Sequence, residues 1–220
     1  MAGKEPQRLR IRFCRGEEVK FISHLDIMRL WQRALHRAGI ALAYSEGFSP
    51  HPRISLAAPL PIGVTSEAEL MDIFNTRWVS PHFFIRAVSQ QLPPGIEILQ
   101  VYPIALNLPS LQSQVRYAEY RVEVETEKGR KDIEAALISL LSLKHLSWQH
   151  QRDTGTRHYD LRALIDDLWL ISWGHPYGII GMRLRCDSNG SGRPEQVTAA
   201  LGFTHHPWSI HRTKLILRTS

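Results

Sequence analysis

The chain has 220 residues, 43% of them hydrophobic and 22% charged, enough for one good core or two small ones and unlike a disordered or fibrous protein. Lysine and arginine outnumber aspartate and glutamate by 27 to 21, giving +6 at neutral pH, so polyanions are expected as partners over acidic proteins or metals. Two cysteines, Cys14 and Cys186, exclude a disulfide framework and closely spaced metal ligands; with no apolar signal core and no membrane-length stretch, a cytoplasmic location is expected.

The positive charge is uneven, since residues 1–53 carry ten Lys/Arg against five Asp/Glu. RLRIRF, residues 8–13, alternates Leu9, Ile11 and Phe13 with Arg8, Arg10 and Arg12, the pattern of a strand with one buried and one basic face. Ser23 opens SHLD, where it can cap a helix while Asp26 suits the positive helix end. Leu25, Met28, Trp31, Leu35 and Ala38 recur at helical spacing and Gly39 is a natural stop, which predicts a helix over 24–38. In YSEGFSPHPRISLAAPLPIGV, residues 44–64, four prolines preset an extended chain and Gly47 and Gly63 supply bends. Tyr44, Phe48, His51 and Arg53 lie between the bends and suit stacking and anion contact; a packed loop that buries its aromatics is the plainer alternative.

RISLAAPL and SEAELMDIF read as strands, the second with Leu70, Asp72 and Phe74 on one side. SPHFFIRAVSQQL begins with Ser80 as cap and Pro81 at the first helical position, and GIEILQVYPI closes the unit as a strand. This order predicts an α+β fold: a ferredoxin-like (βαββαβ) module over residues 1–105, with both helices on one face of an antiparallel sheet and the other face open. After a polar linker, 106–114, the order recurs over 115–220. YAEYRVEVE is a strand, KDIEAALISLLSL a helix, LSWQH and GIIGMRLRC strand candidates, RPEQVTAALG a short helix and SIHRTKLILR a last strand. The expectation is two tandem ferredoxin-like modules with antiparallel sheets. An insertion in the second lies between Arg152 and Tyr177, where LRALIDDL suits a helical turn and LWLISW a strand.

The motifs F-x-S-H-L-D, Y-S-x-G-F-x-P-x-P and P-L-P-x-G-x-x-S-x-x-E all fall within residues 20–72. Carrying them, the chain resembles the radical-SAM-linked domain family DUF2344 of bacteria. TRHYDLRALI and GSGRPEQVTAALG are similar to the family's shorter signatures, so the resemblance covers nearly the whole chain; Ala163 departs from it where proline is common. Members occur alone or fused to cobalamin-binding radical-SAM modules, near genes of RNA processing and ribosomes. The resemblance implies an accessory or substrate-binding domain with a radical-SAM enzyme as partner. The radical chemistry itself needs three thiolates in a tight loop, which Cys14 and Cys186 do not provide, and no cofactor is expected.

Arg29, Arg33 and Arg37 recur every fourth residue with His36 beside them, forming one row that Arg53 and the RLRIR strand would extend; a solvated ridge is the plainer reading. With Tyr44, Phe48, His51 and Arg193, which precedes Pro194 at a glycine-bearing turn, they make up the expected RNA- or phosphate-binding set. His24, Asp26, Arg157, Asp160 and Arg162 are a second polar group. The first two sit where helix capping is the plainer role, and Asp160 between two arginines makes either an ion-paired knot or a phosphate site. No catalytic residue and no metal site is expected. The function so read is an RNA-binding accessory protein that presents structured RNA (tRNA or rRNA) to a modifying or processing enzyme, with RNA rather than DNA, and no membrane, as partner. The alternatives are a module that docks on a radical-SAM enzyme through YSEGFSPHPR, and a stand-alone hydrolase or nuclease using His24, Asp26 and His51.

Overall fold

The computed structural model describes residues 6–152 and 155–218. The chain divides into two units, Met1–Val115 and Arg116–Ser220. In the first, β1 (Gln7–Arg15) is followed by α1 (His24–Arg37), β2 (Ile54–Leu56), β3 (Thr65–Asn75), α2 (Pro81–Ser89) and β4 (Ile96–Ile104). Their strands lie in the order β4-β1-β3-β2 and pair antiparallel, with Ile11 opposite both Met71 and Val101. Ser23 caps α1, its Oγ accepting from the Asp26 amide at 3.2 Å. The helix ends where Gly39, at φ 70°, lets the Ile40 amide donate back to the Leu35 carbonyl at 3.0 Å. Ile27, Trp31 and Leu35, one face of α1, share a buried core with Leu9, Ile11 and Phe13 of β1. The Phe13 and Trp31 rings meet edge to face at 4.9 Å. At about 1.5–3 kcal/mol for each such side chain buried, this core is the main favourable contribution to the unit.

The second face of this sheet is not open where Arg8 and Arg10 lie, contrary to the reading of RLRIRF; of its three arginines Arg12 alone is exposed. Arg8 and Arg10 do point away from the apolar core, yet their side chains are only 2% and 6% exposed. Asp72 on β3, fully buried, accepts two hydrogen bonds from each arginine, at 2.7 to 3.1 Å. Arg8 also donates to the carbonyls of Leu108 (2.6 Å) and Pro109 (2.9 Å), and Arg10 to the Gln114 side chain (3.3 Å). The stretch 108–114, with the short α3 (Leu111–Gln114) and its buried Leu111, therefore covers these arginines. Two guanidinium ions withdrawn from water need a counter-charge and carbonyl acceptors, and β3 and this stretch supply both.

In the second unit β5 (Val115–Glu125) is followed by α4 (Arg130–Ser142), β6 (Ser147–Arg152), β7 (Gly155–Asp160), β8 (Ile165–Trp173), β9 (Tyr177–Asp187), β10 (Gly190–Ser191), α5 (Pro194–Ala200) and β11 (Ser209–Leu217). Neighbouring strands run β11-β5-β9-β8, and Tyr120 and Leu168 both face Met182 across the antiparallel ladders. Ile133, Leu137 and Leu140 are the buried face of α4. Two expectations change here. Among the described residues LSWQH enters β6 and pairs with β7 alone, in a separate hairpin that places Ser147 opposite Asp160. LWLISW, expected within an insertion, is part of β8 in the main sheet. Packing decides the second case: Trp169 and Trp173 lie over Gly181 and Gly178 of β9, where any Cβ would collide with their rings. The whole is a mixed α+β structure with mostly antiparallel pairing. Among the described residues no helix is long and apolar enough to cross a membrane.

Candidate nucleic-acid interface

Residues 44–52 form a closed lobe at the end of β3. An antiparallel bridge joins Tyr44 to Pro52, the Ser45 amide donates to the His51 carbonyl at 2.9 Å, and the His51 amide returns to Ser45 Oγ at 3.0 Å. Below it the Ala43 amide donates to the Phe74 carbonyl (2.7 Å) and the Phe74 amide to the Arg53 carbonyl (3.0 Å), which splices the lobe onto the sheet. The prolines preset the chain and these bonds lock it. Gly47, at φ 120°, makes the bend, and Phe48 beside it is fully exposed. Tyr44 is 55% exposed and His51 is exposed, so the lobe does not bury its aromatics as the plainer reading of 44–64 supposed.

The base of the lobe and the C-terminal half of α1 enclose a cleft of about 630 Å3. Arg33, His36 and Arg37 line it from the helix, Leu42 from the chain that follows, and Tyr44 and Pro52 from the lobe. Among the described residues no acidic side chain lines it. A second cleft of about 420 Å3 opens beside Arg33 and Arg37 toward Gln91 and Pro93, and Arg37 donates to the Gln91 carbonyl at 2.9 Å. The row of arginines is thus brought against the lobe at two of its three members. Arg29 lines neither cleft and instead meets Asp26 at 3.2 Å in an exposed pair that solvent screens. Arg53 follows Pro52, but its guanidinium stacks 3.9 Å over the Phe74 ring.

His24 and Asp26 lie at the other end of α1, roughly 18 and 15 Å along its axis from His36. The Asp26 carboxylate accepts from the Ser23 hydroxyl at 2.7 Å, and this bond, followed by Arg29, holds its pKa below the usual range. Among the described residues no three His, Cys, Asp or Glu side chains group as a metal site.

In the second unit, Asp160 Oδ1 accepts from the Leu146 amide at 2.8 Å and the Arg162 amide at 3.0 Å. The Leu146 bond is the largest of the influences that hold its carboxyl below the ordinary value. Arg162 turns its guanidinium to the carbonyls of Leu141 (2.9 Å) and Ile165 (2.5 Å). Asp160 and Arg162 therefore each satisfy backbone groups; the Arg157 side chain lies outside the described residues. Asp160 and Arg193 line one cleft of about 240 Å3 with Arg185 and Gln196, and Arg193 meets the Glu195 carboxylate at 3.9 Å. Leu42, Pro52, Arg185 and Gln196 carry no local signal that marks them for these clefts, because pairings such as Tyr44 with Pro52 are set by the folded lobe.

A family profile described as an uncharacterized protein conserved in bacteria (DUF2344) matches residues 8–194. No curated protein matches the chain by sequence. Among solved structures, a crystal structure of a Cbf5–Nop10–Gar1 complex is similar at TM-score 0.50 and 9% identity, over 94% of this chain and 48% of that one. An archaeal box H/ACA sRNP Nop10–Cbf5 complex follows at 0.48 and 12%, over 94% and 48%. An acetolactate synthase small subunit from Thermotoga maritima gives 0.29 and 12%, over 98% and 99%. Of these three the first alone reaches 0.5, a likeness of fold, and the chain spans about half the length of the first two.

Proposed function

The chain belongs to DUF2344, a family of uncharacterized bacterial proteins, and from that premise and its basic cleft we propose that it is an RNA-binding accessory protein that presents structured RNA to a modifying or processing enzyme. The observation that carries this reading is the cleft where Arg33, His36 and Arg37 meet Tyr44 with no acid in the lining among the described residues. Phosphate recognition needs positioned cations, and an aromatic ring beside them adds a surface for a base. Arg29, Arg53, Phe48 and His51 form the surroundings of that face. Arg193 is a separate cation of the second unit; His24 and Asp26 of the first unit and Asp160 and Arg162 of the second have structural or supporting roles, and the Arg157 side chain lies outside the described residues. In this reading residues 1–105 and 115–220 are two ferredoxin-like modules joined by 106–114, and the strand orders β4-β1-β3-β2 and β11-β5-β9-β8 support it. A cytoplasmic location and a radical-SAM enzyme as partner complete the proposal. The test is a filter-binding titration against total cellular RNA at low salt. Affinity well above that of a neutral control protein is expected, and affinity no better than the control's ends the proposal.

The exposed Phe48 at the lobe's tip favours a second reading, in which the lobe docks on the partner enzyme itself. Co-purification that survives nuclease and high salt supports docking, because apolar contact is screened little.

A further inference from the structure

Resting on the RNA-binding reading above, we propose that the cleft between α1 and the lobe takes unpaired nucleotides, with Tyr44 stacking on one base and Phe48 on the next, and that it discriminates against continuous duplex. The lining combines two chemistries that a duplex does not offer together. An A-form helix presents phosphates and ribose hydroxyls while its bases stay stacked, so a duplex-binding face needs cations but has no use for an aromatic ring in a concavity. A splayed nucleotide presents a flat base and an anionic phosphate at once. Leu42, Tyr44 and Pro52 match the first; Arg33, His36 and Arg37 match the second. At about 630 Å3 the cleft falls in the roughly 300–1,000 Å3 range of single-ligand pockets.

The backbone that carries Tyr44 is also held ready: its bridge to Pro52 and the Ser45–His51 bond just above leave little main-chain ordering to occur on binding. Phe48 stands at the tip of the same lobe with its whole side chain in water. A strand of nucleotides leaving the cleft along the lobe meets the second ring after the first. Among the described residues Arg33 makes no hydrogen bond, and Arg37 spends one donor on the Gln91 carbonyl, so both retain donors for phosphate oxygens.

The test is fluorescence anisotropy with the full chain and labelled RNAs of one length: a single strand, a blunt duplex, and a hairpin with a short unpaired loop. The single strand and the loop are expected to bind at least about tenfold more tightly than the duplex. Tyr44→Ala is expected to weaken single-strand binding by roughly tenfold, the loss of one base–aromatic stack, without changing the salt slope, and Tyr44→Phe to retain it. Arg33→Ala should weaken all three RNAs and lower the salt slope by about 1. Equal affinity for duplex and single strand, or unchanged single-strand affinity in both Tyr44→Ala and Phe48→Ala, overturns the inference; RNA binding that remains sensitive to Arg33→Ala then leaves the broader reading standing. Failure to bind any of the RNAs at low salt overturns both. Tyr44 and Phe48 are exposed, so the variants are expected to keep the fold, and matching melting curves check this.

Discussion

Arg10 and Asp72 face each other across β1 and β3, Nε to Oδ1 at 2.7 Å, with the carboxylate fully buried and the guanidinium nearly so. Burial alone lowers the pKa of Arg10, but the hydrogen bond and charge of Asp72 outweigh it, so the arginine is held more firmly protonated than usual. Arg8 shares the same carboxylate. Asp72→Asn leaves two buried cations with no counter-charge and is expected to cost about 3–5 kcal/mol in urea unfolding. Arg12→Gln, on the same strand but exposed, is expected to cost less than about 0.5 kcal/mol. Equal losses in the two variants would refute the account of the covered face.

The two ends of the arginine row differ in surroundings, which separates them as variants. Arg33 lines both clefts, whereas Arg29 lines neither and is paired with Asp26. Arg33→Glu is expected to weaken RNA binding by roughly tenfold or more and flatten its dependence on salt, and Arg29→Glu to act several-fold less. Filter binding across a salt series measures both. A larger effect at Arg29 would move the interface toward the N-terminal end of α1.

Gly181 gives β9 the room that the Trp169 ring occupies. Gly181→Ala is expected to destabilise the chain by about 1–3 kcal/mol through forced repacking. Combining it with Trp169→Leu should recover part of that loss, since the two residues share one space. Purely additive losses in denaturant titrations would show that the ring does not depend on the glycine.

Asp160 supplies the pH test. Its folded carboxyl lies below the ordinary value of 3.8, chiefly through the Leu146 amide bond, so the unfolded chain binds its proton at higher pH than the folded chain does. The stability it contributes is present above pH 3.8 and is lost as pH falls through the lower, folded value. The stability difference between wild type and Asp160→Asn should therefore hold constant from about pH 7 to 5 and shrink below about pH 4. A difference that persists unchanged at about pH 2 would contradict this.

Local spacing determined much of what is seen. The alternation of Leu9, Ile11 and Phe13 with arginines, the helical recurrence of Trp31 and Leu35, the Ser23 and Ser80 caps and the Gly39 stop are all met in the fold, because each depends on neighbours a few residues away. Period alone told which way Arg8 and Arg10 point, and only tertiary structure decided that they are buried. Their counter-charge lies 64 and 62 residues away on β3, Arg8 finds carbonyl acceptors in 108–109 and Arg10 the side chain of Gln114. The same holds for LWLISW, whose tryptophans belong to the sheet because Gly178 and Gly181 make room for them. It holds for the cleft too: the sequence displayed the arginine row and the proline-stiffened aromatics as separate features, and the pairing of Tyr44 with Pro52 and the splice onto β3 brought Arg33 and Arg37 beside the tyrosine. Propensity and period act over one turn of chain, whereas desolvation of a charge or shelter of a ring depends on whatever the folded chain sets opposite it.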